Sequence, residues 1–253
     1  MESISNFREL GNLPVARGAI GTGLLFRSGH LANMSDRDER RLGELGIRTV
    51  VDLRNDGDIA SEGQDRIPGG VVHHRVPIHD DAGRGGDIRD MIMRNDLDEL
   101  RAEMGDGRAH QIALDGGIAF VQNPDRVASF AGAMEVIVDP DNWPVLWHCS
   151  AGKDRAGWIA TAVLLAADAS TEVIVDHYVQ SNATSDTAER LPEGELKDLI
   201  RPFLEVHEDY VRAQLGAVHE HWGGAEGLYR DGFGLPADAL ERFRAALIDQ
   251  GAR

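Results

Sequence analysis

The sequence contains a single cysteine, Cys149, among 253 residues. One thiol cannot close an intramolecular disulfide, so the core must carry the fold and no oxidising compartment is implied. Positive charge is scarce as well: 26 Lys and Arg stand against 43 Asp and Glu, a formal net charge of -17. Such a field repels phosphodiester backbones and anionic membrane surfaces, which argues against a nucleic-acid or membrane-adsorbing role. An anionic ligand would have to be held by local cations. No apolar run approaches the ~18 residues of a membrane span, so no stable membrane insertion is expected. Met1 to Leu10 lack the positive and apolar segments of a signal peptide, and a cytoplasmic protein is expected, although unconventional export would leave no trace. Internal repeats and low-complexity tracts are also missing.

Hydrophobic residues make up 42% of the chain, enough for a sizeable core, and one domain over residues 1–253 is the expectation. "GIRTVVDLR", Gly46 to Arg54, is a short β-branched run that turns polar at Asn55, as a buried central strand ending in a loop would. "VVHHRVPIHDD", Val71 to Asp81, and "WPVLWHCS", Trp143 to Ser150, have the same form, and "LLFRSGHL", Leu24 to Leu31, predicts an edge strand. After Met34, "SDRDERRLGELG" has the N-cap serine, first-turn acids and closing glycine of a helix. Apolar residues recur at helical spacing from Pro124 to Val138 and from Trp158 to Ala169, so strands alternate with helices as in an α/β fold. Residues 171–253 read as a helical C-terminal part: Thr171 to Asn182, Leu196 to Trp222, and Pro236 to Ile248 with proline in the first turn.

Residues Asp80 to Gly117 stand apart. "DDAGRGGD" is glycine-rich and polar, and "IRDMIMRNDLDELRAEM" after it is an amphipathic helix candidate with scattered methionines. An insertion at a strand's C-terminal end serves either as a lid, here over 83–117, or as a surface excursion packed on the core.

The cysteine lies in "HCSAGKDRAG", His148 to Gly157, where a strand gives way to a helix. Five residues separate Cys149 from Arg155. A short loop wrapping into a helix N-terminus turns successive N–H groups inward as a nest for a tetrahedral oxyanion. Ser150, Ala151 and Gly152 are small enough for the backbone to approach an anion closely, and Arg155 can return a planar guanidinium to two phosphoryl oxygens. The same donors favour a thiolate, which makes Cys149 a nucleophile and a phosphocysteine its product on attack at phosphorus. His148 would point to the opposite face and position the nucleophile through hydrogen bonds. A nucleotide-binding P-loop is excluded, because Trp147 and Asp154 stand where it needs glycine and Ser or Thr. No second cysteine or nearby His-x-x-x-His supports a metal site. A sulfur-transfer enzyme remains a minor alternative.

"HCSAGKDRAG" resembles the signature loop of the cysteine-dependent protein tyrosine phosphatase superfamily, in the bacterial tyrosine and phosphoinositide phosphatase branch with His-Cys-x-x-Gly-Lys-Asp-Arg. "NFRELG" at Asn6 to Gly11, "LLFRSGHL", "VVDLR", "DPDNWPVLWHC", "DHYVQSN" and "GLYRDGFGL" extend the resemblance, in the branch's order, over nearly the whole chain. It implies a central, mainly parallel sheet flanked by helices, and a phosphomonoesterase without metal or organic cofactor. Cys149 would be the nucleophile, Arg155 the phosphate clamp, and Lys153 the cation the branch associates with additional substrate phosphates, such as those of phosphoinositides. The general acid stays open between Asp154, which the branch suggests, and Asp80 or Asp81 at the start of the insertion. Asp52 and Arg54 either line the pocket or brace it. One departure is Ala156, where the superfamily usually has a Ser or Thr whose hydroxyl assists breakdown of the phosphocysteine.

Three functions compete on this basis. The first is a phosphatase of phosphotyrosine, with phosphoserine or phosphoinositide activity added. The second keeps the chemistry and takes a small phosphorylated metabolite. The third is a weakly catalytic phospho-binding module, motivated by Ala156 and opposed by the intact Cys149, Asp154 and Arg155. Oligomeric state is not written in the sequence.

Overall fold

A computed structural model describes residues 1–78, 91, 94, 96–189 and 191–248. Four strands run parallel: β4 (Leu25–Ser28), β5 (Thr49–Asp52), β6 (Val72–Arg75) and β7 (Val145–His148). A two-residue strand, β1 (Arg8–Glu9), pairs antiparallel with β4 and completes the order β1-β4-β7-β5-β6. A separate hairpin joins β2 (Pro14–Val15) to β3 (Gly18–Ala19). The mainly parallel α/β sheet expected from sequence is therefore present. One strand differs: β4, expected at an edge, is covered by β1 on one side and β7 on the other, with all four residues buried. The polar Arg27 and Ser28 in its pattern suggest an exposed edge, yet both are buried, Arg27 donating to the Gly152 carbonyl at 2.6 Å and Ser28 to the Gly29 carbonyl at 2.8 Å.

Register assigns the two faces. Leu25, Val145 and Thr49 lie side by side, as do Arg27, Trp147 and Val51 one step on. This face packs into the larger core, with Trp158, Phe130, Tyr178 and Phe243. The alternate residues Phe26, Leu146 and Val50 face the other way and meet Leu42, Ile47 and Ile4 in a second core. Because a strand's side chains alternate, His148 falls on this second face and Cys149 on the first.

Helices follow the strands. α1 (Asp36–Glu44) starts on Ser35, whose side chain accepts from the Asp38 amide, and α2 (Asp56–Glu62) starts on Asn55 in a capping box with Asp58. α3 (Leu97–Met104) is capped by Asp96, α4 spans Arg108–Gln122, and α5 (Pro124–Ile137) begins on Asn123 with proline in its first turn. α4 runs on past residue 117, the expected end of the insertion, and packs on a later helix, so the boundary falls within a helix. Its glycines at 116 and 117 mask the helical signal in sequence; Gly117 instead lets the Gln214 side chain reach its carbonyl at 3.2 Å.

α6 (Asp154–Ala166) is almost wholly buried and follows the loop that leaves β7. Beyond it come α7 (Thr171–Val179), α8 (Ser181–Thr184), α9 (Glu195–Leu204), α10 (Glu208–Trp222), α11 (Ala225–Gly227), a π turn at Leu228–Gly232 and α12 (Ala239–Leu247). The helix expected over Leu196 to Trp222 is two helices, broken at Glu205 to His207. Pro236 lies before the last helix rather than in its first turn. Leu100, Met104, Ala109 and Ile200 form a third, smaller core joining α3, α4 and α9. Among the described residues no helix is long and apolar enough to cross a membrane.

Candidate active site

The loop from Cys149 to Arg155 leaves the middle strand, β7, and enters α6. Its conformation is fixed from outside by its carbonyls. Ser150 O accepts from the His30 amide at 3.0 Å, and Ala151 O from Asn6 Nδ2 at 3.3 Å. Gly152 O accepts from Asn6 Nδ2 at 2.8 Å and from Arg27 Nη2 at 2.6 Å, and Arg27 Nη2 also reaches Lys153 O at 3.0 Å. In a trans peptide the N–H of the next residue points opposite to the carbonyl. Four consecutive carbonyls turned toward the scaffold therefore turn the amides of residues 151 to 154 the other way, the arrangement an oxyanion needs. Gly152 has φ +67, and a Cβ there would lie 2.3 Å from the Ser28 carbonyl carbon, so only glycine fits.

Cys149 is 3% exposed at the start of this loop, and Arg155 closes it. Arg155 Nη1 donates to Asp58 Oδ2 at 2.6 Å and to the Leu53 carbonyl at 3.3 Å, while Nη2 donates to Ser150 Oγ at 3.1 Å. Burial opposes the guanidinium charge, but Cys149, Asp58 and Asp154 outweigh it and hold Arg155 above the ordinary arginine value. Asp58 is aimed by the α2 cap: its carboxylate accepts from the Asn55 amide at 3.0 Å and its own amide donates to Asn55 Oδ1 at 2.9 Å. Sequence reasoning missed Asp58, although the Asn-x-x-Asp spacing of a capping box was legible at Asn55.

The other candidate residues divide. Ser150, Ala151 and Gly152 form the loop as expected. Lys153 is 2% exposed, and its Nζ donates to the Phe203 carbonyl near the end of α9 at 2.5 Å, with Asp154 Oδ2 3.7 Å away. The ammonium thus ties the loop to α9. Asp154, with a side chain 54% exposed, opens α6. Asp52 and Arg54 are buried with His148 on the second face. Asp52 accepts from Arg54 Nε at 3.0 Å and Nη2 at 3.1 Å, a bracing position beneath the loop rather than along its open side. Asp80 and Asp81, the alternative acids, lie outside the described residues, as does the first part of the insertion. Ala156 is fully buried, and its carbonyl accepts from Trp147 Nε1 at 3.0 Å.

Asp52, Asp65, His73 and His148 bring ligand-type atoms within 4.8 Å of one another. They do not fit a resident cation, because the Arg54 guanidinium already lies on both carboxylates, at 2.8 Å from Asp65 Oδ1.

The model of the tyrosine phosphatase family matches residues 1–249. The chain belongs to the tyrosine phosphatase family. Among curated relatives, the triple specificity protein phosphatase PtpB of Mycobacterium tuberculosis is 28% identical over 96% of this chain and 96% of its own length. A putative tyrosine-protein phosphatase of Cupriavidus necator is 29% identical over 91% of this chain and 82% of its own. Among solved structures, the core catalytic domain of the PP-IP phosphatase SIW14 from S. cerevisiae covers 78% of this chain and 83% of its own, at 14% identity and a TM-score of 0.39. Membership of the tyrosine phosphatase family implies phosphorylated substrates.

Three segments singled out in sequence, "NFRELG", "LLFRSGHL" and "DHYVQSN", meet behind the loop. Arg8 donates to Asn6 Oδ1 at 2.8 Å, to Thr184 Oγ1 at 2.8 Å and to Ser181 Oγ at 3.1 Å, which aims Asn6 at the Gly152 carbonyl. Asn6, Arg8 and Arg27 were not recognised as site residues from sequence, because nothing in one chain marks a side chain that binds a loop's carbonyls from outside.

Proposed function

We propose that this protein is a metal-independent phosphomonoester hydrolase that works through a phosphocysteine at Cys149. The Cys149 thiolate attacks phosphorus, the P–O ester bond breaks, and the leaving oxygen takes a proton from Asp154. Water then attacks the phosphocysteine, gives its proton to the Asp154 carboxylate, and the P–S bond breaks to release inorganic phosphate and the thiolate. Throughout, the amides of residues 151 to 154 and the free edge of Arg155 would hold the equatorial oxygens. The observation that carries this reading is the loop itself, with four carbonyls bound outward and Arg155 aimed by Asp58 and Ser150.

Phosphotyrosine is the proposed main substrate. Breadth toward phosphoserine is carried over from the relative named a triple specificity phosphatase. Phosphoinositides are a weaker substrate on two counts: the net charge of -17 slows encounter with polyanions, and Lys153 Nζ is engaged by Phe203 O. The test is release of inorganic phosphate, with EDTA present, from phosphotyrosine and phosphoserine peptides, phosphoinositides, and sugar and nucleotide monophosphates. Turnover lost in Cys149→Ser supports the mechanism. A best substrate among the small monophosphates would replace signalling peptides by a metabolite, and no turnover beside tight phosphopeptide binding would favour a binding module.

A further inference from the structure

His148, beside the nucleophile, is enclosed in a buried polar group on the second face of the sheet. Its side chain is 0% exposed. Nε2 lies 3.0 Å from Asp65 Oδ2, and Nδ1 lies 3.3 Å from the Cys149 carbonyl oxygen and 3.7 Å from Asp52 Oδ1. All three partners are acceptors; the Nε2–Asp65 contact is an ion-pair contact off the hydrogen-bonding line, and a ring protonated on both nitrogens places positive charge against each of them.

Charge balance points the same way. Asp52 and Asp65 are each 1% exposed and Arg54 is 0% exposed, two negative charges against one positive. Burial opposes the charge on Asp65, but His148, Arg54 and the Leu31 amide, 2.8 Å from Oδ1, hold its carboxyl well below the usual carboxylate range. Three other titratable groups face the cluster. Glu62 is 20% exposed, so solvent carries part of its charge. Burial pushes His30 and His73 down, which leaves both neutral. A positive charge on His148 would bring the buried quartet to zero.

We propose that Asp65 is a positioning residue that holds His148 as an imidazolium behind Cys149, so that a fixed positive charge and an Nδ1–H bond to the Cys149 carbonyl orient the nucleophile and favour its thiolate. The proposal rests on Cys149 being the nucleophile, and its test needs no turnover. Nitrogen NMR of the histidine-labelled wild type should show His148 protonated at both ring nitrogens through neutral pH. Asp65→Asn should leave one proton on the ring and slow alkylation of Cys149 by neutral iodoacetamide about tenfold near pH 6.5. Asp65→Glu, which keeps the charge, should recover most of that rate. On a phosphate ester the Asn variant should lose kcat with little change in KM. A singly protonated His148 in the wild type overturns the proposal whether or not any variant folds, as does an unchanged alkylation rate in folded Asp65→Asn.

Discussion

The two faces of the sheet meet the catalytic loop with buried charge of different kinds. On the second face, Asp52, Asp65, Arg54 and His148 bind one another at 3.0 Å or close to it. On the thiol face, Arg8 and Arg27 are cross-strand partners, and their hydrogen bonds go to neutral oxygens of Asn6, Ser181, Thr184, Gly152 and Lys153. Neither arginine makes an ion pair among the described residues. Burial and the neighbouring Arg27 disfavour the charge on Arg8; burial also disfavours that on Arg27, which Cys149, Tyr178 and Asp154 partly restore. Burial, Arg27 and Arg8 together push His177 well down, so it adds no charge. The difference is between a cluster that pairs its charges internally and two guanidinium groups that meet only neutral oxygens among the described residues. The thiol face holds the loop's carbonyls, and the second face holds the histidine beside Cys149.

Substitution of Arg155, the proposed clamp, should have the largest effect. Arg155→Lys keeps a charge but loses the planar fork, and kcat/KM should fall about a thousandfold with stability little changed. Arg27→Met breaks the thiol face: two loop carbonyls lose a donor, and kcat should fall about a hundredfold through misplaced amides, with weaker binding of vanadate. A vanadate affinity equal to wild type in Arg27→Met would mean that the loop holds its shape without that face. Asp58→Asn keeps a hydrogen bond to Arg155 but removes the charge, and a loss of about tenfold in kcat is expected. Asp65 sharpens the comparison through stability. Its carboxyl is depressed in the folded protein, so its contribution is present above pH ~4, the unfolded value, and is lost as pH falls toward the folded value. The acid side of a Tm-against-pH curve should flatten in Asp65→Asn, and a slope equal to wild type would show that the internally paired cluster contributes nothing. The smallest effect is at Ala156, where Ser should quicken steady turnover and shorten any burst with an aryl phosphate.

How much of this was legible in sequence follows from what kind of contact each residue makes. That Cys149, the small residues after it and Arg155 share one loop could be read from spacing alone, because a tight strand-to-helix loop is built from residues adjacent in the chain. The strands β5, β6 and β7 were legible from their apolar or β-branched runs. β4 was misplaced because Arg27 looks like a solvent-facing residue, and only tertiary structure shows it buried against Gly152 and Lys153. Asp58 and Asp65 were invisible as site residues for a related reason: they act from α2 and the loop after it, some 90 residues before the side chains they hold. Lys153 shows the reverse, since its position in the loop suggested an open cation and its side chain instead reaches Phe203 O on α9.

The most direct test is a rapid quench of the wild-type protein during turnover of an aryl phosphate, followed by mass analysis of the peptide that contains Cys149. A phosphoryl group on that peptide, present early and absent in Cys149→Ser, is the expected result. Phosphate release that proceeds without the adduct and survives in Cys149→Ser would contradict the account.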